Sequence, residues 1–260
     1  MSQSRGAGAG LTRRAFLGGA ALALAGCAGI RGRRLEDLDS RVTGVLDRAI
    51  SVDLHSHAAG AGFSRAPKFD LADRMRRGRM AAVCLCHSAE GPVIRRPPTG
   101  RIRQYRDPGP SELYEFTRQR LAFMDSMATA HGMTRVLTPA DLDTAKAAGR
   151  PAFIGTIEGC HFMEGRLDRI EEVYRRGVRQ LQIVHYMPSE LGDQQTEDGR
   201  WRGLSALGAD AVRECNRRGI VVDVAHGTFE LVKQVARLST APFVLSHTSL
   251  APGPLRPTRG

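Results

Sequence analysis

"SALGADAVRECNRRGIVVDVAH", residues 205–226, reads as a helix up to Gly219 that runs directly into a short apolar strand closing on a histidine. The same unit repeats on both sides of it. Upstream, "LDRIEEVYRRG" (167–177) leads into "VRQLQIVH" (178–185), and a short helix near residues 139–148 leads into "AFIGTIEG" (152–159). Downstream, "TFELVKQVARLS" (228–239) leads into "PFVLSH" (242–247). Nearer the start, "LEDLDSRVTGVLDRAI" (35–50) precedes "SVDLH" (51–55), and "FDLADRMRRG" (69–78) precedes "MAAVCLCH" (80–87). Between them, the proline- and glycine-rich residues 90–109 read as a long loop. "SELYEFTRQRLAFMDSMATAHG" (111–132) reads as a long helix capped by Ser111, and residues 186–203 form a polar loop. Six short, continuously apolar strands separated by helices imply strands buried on both faces, and so a parallel sheet wrapped by helices. With right-handed crossovers, a (β/α) TIM-like barrel is the leading architecture and a doubly wound open sheet the alternative.

A barrel of this kind places its chemistry at the C-terminal ends of the strands. Here those ends carry His55-x-His57, His87, Glu158, His185, His226 and His247, which is six of the eight histidines and one carboxylate. Alternation along a strand turns His55 and His57 to the same side. Imidazole and carboxylate are the ligands of open, catalytic zinc sites. Four histidines and one glutamate are enough for two cations, since a carboxylate can bridge metals ~3.5–4 Å apart and a hydroxide between them is a strong nucleophile near neutral pH. Such a site suits hydrolysis of an amide or ester. The sequence has no glycine-rich phosphate loop and no G-x-S-x-G, which argues against nucleotide binding and serine hydrolysis.

The 260 residues are 42% hydrophobic, enough for one large core, and carry a net charge of +11. The arginines are scattered through "RMRRGR", "IRRPPTGRIR" and "RRGVR" with no aromatic interleaving, so a solvated basic surface is expected and no nucleic-acid partner. "LTRRAFLGGAALALAGC" has the layout of a twin-arginine export signal, and its "LAGC" (24–27) looks like a bacterial lipobox. Residues 1–26 are therefore expected to be a signal peptide, with Cys27 lipidated and the protein exported to the periplasm or cell surface on a membrane anchor. Removing Arg5, Arg13 and Arg14 with the signal leaves 11 − 3 = +8. Residues 27–44 read as a linker and the start of the first helix, and residues 45–260 as the catalytic domain. Cys84, Cys86, Cys160 and Cys215 read as buried small hydrophobes without a disulfide framework.

"TIEG" (156–159), "VRQLQIVHYMPSELGD" (178–193), "GLSALGADAVRECNRRGIVVDVAH" (203–226) and "PFVLSHTS" (242–249) resemble the membrane (renal) dipeptidases, the M19 metallopeptidases. The resemblance runs from about residue 45 onward. It implies a (β/α)8 barrel with two zinc ions that hydrolyses dipeptides. By that resemblance His55 is the first ligand, Glu158 bridges both metals, His226 and His247 hold the second, and His185 binds substrate and stabilises the tetrahedral intermediate. Family members are often dimers, which admits a homodimer.

Three departures stand out. His57 replaces the aspartate of the family's H-x-D and is kept as a ligand. Pro188 stands where the family has an asparagine. The family's arginine for the substrate carboxylate falls on Arg259, or less well on Arg256, and the family then continues through two strands, the last with a functional aspartate. The expectation is therefore a barrel truncated after about six β/α units. His87 has no role in the family. Two other readings stay open: an amidohydrolase-like enzyme acting on a lactone, phosphoester or acyl-amine, which H-x-H suits, and a non-catalytic lipoprotein.

Overall fold

The computed structural model describes residues 40–58 and 70–248. The signal peptide, Cys27, Arg256 and Arg259 lie outside those residues. The chain divides after Val45 into two units. Of the first, only the opening of helix α1 (Ser40–Arg48) is described, and the second carries the sheet.

That second unit alternates strand and helix. In order it contains β1 (Val52–Ser56), α2 (Leu71–Arg77), β2 (Ala82–Ser88), β3 (Ile94–Arg95), β4 (Arg103–Gln104) and α3 (Glu112–Ala130). There follow β5 (Thr134–Arg135), α4 (Pro139–Ala147), β6 (Ala152–Glu158), α5 (Arg169–Arg175) and β7 (Val178–Gln182). The last elements are α6 (Ala206–Arg218), β8 (Val221–Asp223) and α7 (Phe229–Leu238). The main sheet runs β1-β2-β6-β7-β8, every neighbour parallel, so strand order follows chain order and β6 is central. This is the parallel half-barrel that the alternating units predict.

Local sequence accounts for the boundaries of these helices. Ser205 caps α6 through its hydroxyl, which accepts from Gly208 N, and Gly219 ends it in the left-handed region at φ +73°. Thr138 and Asp141 form a reciprocal capping box around α4, with Pro139 in the first turn. Four helices turn apolar residues into the main core: Leu121, Met124 and Ala128 of α3, Ile170 and Val173 of α5, Ala211, Val212 and Cys215 of α6, Leu231 and Val235 of α7. Each large member of this set contributes about 1.5–3 kcal/mol of burial. β2 is buried along its whole length, which explains why it shows no polar alternation. Cys84, Cys86, Cys160 and Cys215 are buried and unpaired, as expected.

The structure corrects four details. The loop over 90–109 contains the two-stranded antiparallel ribbon β3–β4. Ser111 precedes α3 in a left-handed conformation, φ 59°, and its side chain caps nothing. The Glu112 carboxylate instead accepts from Gly109 N and binds the Arg106 guanidinium, which fixes the entry to the helix. Finally, "PFVLSH" contributes a single parallel bridge, Asp223 to Val244, instead of a full strand, while β5 pairs with the start of β6 where no strand is expected. Among the described residues no helix is long and apolar enough to cross a membrane.

Candidate metal centre

The central strand delivers Glu158 to the rim of the sheet, and the histidine pairs reach it from opposite flanks. On the β1 side, His57 Nε2 lies 3.3 Å from Glu158 Oε2 and His55 Nε2 lies 3.6 Å from Oε1. From beyond β8, His247 Nε2 is 3.2 Å and His226 Nε2 3.8 Å from the same Oε1. Within each pair the ring nitrogens face one another, His55 to His57 at 3.2 Å and His226 to His247 at 3.0 Å. Donors around one tetrahedral zinc, with bonds of ~2.0–2.2 Å, must lie roughly 3.3 Å apart. The described residues therefore contain two donor groups sharing one carboxylate, His55–His57–Glu158 and Glu158–His226–His247, both compact enough for a cation.

The electrostatics favour the same use. Burial lowers His55 and His226 to about 4, so both rings are neutral and can donate a lone pair. Burial alone would raise the Glu158 carboxyl, but His185, His247 and His57 hold it well below the usual range. Ser88 Oγ donates to Glu158 Oε2 at 2.8 Å, fixing the carboxylate plane. His57 Nδ1 sits 3.2 Å from the carbonyl of Cys86, which sets that ring's tautomer and turns Nε2 to the centre. His226 adopts φ 65°, a left-handed conformation unusual for a side chain of this type and of the kind found where geometry is imposed by a site. The ring nitrogens turned on one another within each pair, both pairs beside the Glu158 carboxylate, are the donor chemistry a divalent cation requires.

His185 is placed between two acids. Its Nε2 is 3.0 Å from Glu158 Oε1 and its Nδ1 2.5 Å from Glu90 Oε1. Burial opposes its charge, yet Glu90 and Glu158 outweigh that and raise it to about 10. Glu90 is itself fully buried, and His185 and His161 together hold its carboxyl well below the usual range against the opposing effect of burial. It also accepts from Tyr186 N at 3.1 Å, and its Oε2 lies 3.5 Å from His161 Nδ1. Gly159, at φ +79°, makes room for it: a Cβ there would come within 2.7 Å of Glu90 Oε2. Neither Glu90 nor His161 belongs to the set expected from strand ends, although Glu90 stands only two residues beyond β2.

Asp223 is a further residue outside that expected set. It lies with His55 and His247 in a third compact donor group, and its carboxylate accepts from Gln180 Nε2 at 3.0 Å and Ala225 N at 3.0 Å. His87 does not join the centre. It is fully buried beside the Phe116 ring, at 6.5 Å between centroids, and neither ring nitrogen has a hydrogen-bond partner among the described residues.

Comparison with known proteins bears on the fold and the family. Over 94 residues the chain is 37% identical to an uncharacterized dipeptidase of Schizosaccharomyces pombe, a match covering 36% of this chain and 23% of that one. It superposes with a TM-score of 0.61 on the probable dipeptidase PvdM of Pseudomonas aeruginosa, at 20% identity, covering 80% of this chain and 54% of the other. A metallopeptidase of Rhodobacter sphaeroides, solved with a phosphinate mimic of the dipeptide L-Ala-D-Ala, gives a TM-score of 0.55 at 23% identity, covering 68% and 55%. These likenesses establish the shared fold. The chain thus spans about a quarter of the curated relative and about half of the solved chains it matches. The sequence profile described as membrane dipeptidase (peptidase family M19) matches residues 40–252, and the chain belongs to that family.

Proposed function

We propose that this chain carries the dinuclear zinc centre of a dipeptidase, with His55, His57 and Glu158 holding one ion and Glu158, His226 and His247 the other. The observation that carries the reading is the single carboxylate shared by two facing histidine pairs. Bound there, the cations would polarise a scissile carbonyl and lower the pKa of water enough to make it a nucleophile at neutral pH.

The chain's own residues supply the rest. His185, kept protonated by Glu90 and Glu158, offers a hydrogen bond from Nε2 to the carbonyl oxygen as negative charge gathers on it. Glu90 holds the ring through Nδ1, and the Tyr186 amide holds Glu90. Ser88 keeps Glu158 from rotating away. Arg259 would anchor the free carboxylate of the substrate. Dipeptides are the proposed substrates because the family and the phosphinate-bound relative point to them. Export by the twin-arginine route and lipidation at Cys27 complete the proposal.

The test is metal analysis of the purified protein alongside hydrolysis of L,L- and L,D-dipeptides. Two zinc ions per chain with turnover support the reading, and a protein that takes up no divalent cation overturns it. A second reading, hydrolysis of a lactone or phosphoester, is favoured by the H-x-H pair facing Glu158. Turnover of such substrates with none of dipeptides would select it.

A further inference from the structure

We propose that Cys86 is a fourth protein ligand of the first cation. This half of the centre would then hold its ion with two imidazoles, one carboxylate and one thiolate, a set that prefers thiophilic ions (zinc, cadmium, cobalt) to magnesium or manganese. The inference rests on the metal reading above and extends it to a donor outside the family's set.

Position comes first. β2 and β6 pair in register, Ser88 opposite Glu158 and Cys86 opposite Thr156. Side chains alternate along a strand, so Cys86 shares the face of Ser88, whose hydroxyl already touches Glu158. Its sulfur therefore lies one step below the carboxylate, on the floor of the centre. There the donor atoms of His55, His57, Cys86 and Glu158 all fall within 4.8 Å of one another.

Environment comes second. The thiol is fully buried, and its hydrogen-bond contact is a long one, 3.8 Å to the carbonyl of the next residue, His87. The backbone of Cys86 also takes part, since its carbonyl lies 3.2 Å from His57 Nδ1 and so aims the nitrogen of its co-ligand. The other described cysteines differ. Cys160 is committed to the Gln182 carbonyl at 3.4 Å, and Cys84 and Cys215 belong to no donor group.

Charge comes third. Glu158 is the one anion in the two histidine groups, set against two dications. Coordination of Cys86 would form a metal–sulfur bond and break the S–H bond, with the proton released to solvent, adding a second negative charge where the site is driest.

The experiment is to load the purified protein with Co2+ and record its absorption spectrum. The expected result is a thiolate-to-cobalt charge-transfer band in the near ultraviolet that disappears in Cys86→Ser and persists in Cys84→Ser, with cobalt still bound in both. A cobalt-loaded protein lacking the band, or one that keeps it in Cys86→Ser, overturns the sulfur ligand while leaving the histidine centre standing. Failure to bind cobalt at all overturns the centre itself. Should Cys86→Ser not fold, 113Cd NMR of the unaltered protein decides the matter, because a sulfur ligand moves the cadmium resonance far from that of an all-nitrogen-and-oxygen site.

Discussion

Glu90 Oε1 stands 2.5 Å from His185 Nδ1, with both side chains withdrawn from solvent. A buried carboxylate against one ring nitrogen fixes the ring's tilt and leaves the other nitrogen to act, which is how an outlying partner tunes a site. Replacing Glu90 with alanine removes one of the two carboxylates that hold the charged His185 ring in the interior, a change that costs on the order of 3 kcal/mol. Urea unfolding should register that loss. Glu90→Gln should retain more stability yet lower dipeptide turnover by roughly 10–100-fold. In a His185→Asn background the glutamine variant should add no further loss, since its effect passes through the ring.

The same pair predicts a pH dependence for the metal-free protein. The folded pKa of His185, about 10, exceeds the 6.5 of an unperturbed histidine. Its contribution is therefore complete below pH 6.5 and is lost as pH rises through 10. Unfolding midpoints of the unaltered and His185→Asn proteins should converge on the alkaline side.

His87 acts with the opposite sign. Burial, helped by the nearby Arg120, depresses it from 6.5 to about 3. A neutral buried ring favours the fold above pH 6.5, and that advantage drains away as pH falls toward 3, amounting to on the order of 4 kcal/mol when fully lost. In His87→Gln the acid limb of the stability curve should flatten between those values. Parallel curves for the two proteins would show that the ring charges without penalty.

Glu158→Gln should remove the shared anion and one of its lone-pair sites together. Zinc content should fall below half of the unaltered protein's, and dipeptide hydrolysis should vanish. Atomic absorption and a turnover assay on the same preparation check both outcomes. Chelation of the unaltered protein should reproduce the loss and lower its melting temperature.

Gly208 offers a packing prediction. Glycine in a helix ordinarily costs about 1 kcal/mol relative to alanine, so Gly208→Ala would look stabilising. Here a Cβ would run into the Leu191 carbonyl oxygen, which is backbone and has no rotamer to yield. The substitution should instead destabilise the fold by several kcal/mol, as overpacking does. Circular dichroism melting of the variant checks the sign.

How legible is this in the sequence? The apolar strands ending in polar residues are readable because strand alternation and the barrel rule are local and geometric. They yield the order β1, β2, β6, β7, β8 and the convergence of His55, His57, Glu158, His185, His226 and His247. β5 and the β3–β4 ribbon have two residues per strand, too few for any periodicity to show. Ser111 looks like a cap because serine usually is one. The competing contact, Arg106 with Glu112, is a pairing between side chains that composition does not reveal. Glu90 and His161 stay hidden for a related reason. Glu90 is the shared partner of His185 and His161, both far along the chain from it, and only the fold brings the three together.

Glu158 sits on β6, midway along the β1-β2-β6-β7-β8 path, while the two histidine pairs beside it come from the end of β1 and from beyond β8. An ion seated there would tie the two outer margins of an open sheet to its axis, doing for the curved layer what a keystone does for an arch. Occupancy and curvature would then rise and fall together, and a preparation stripped of metal would lose shape first at its borders, with the centre of the sheet the last part to loosen.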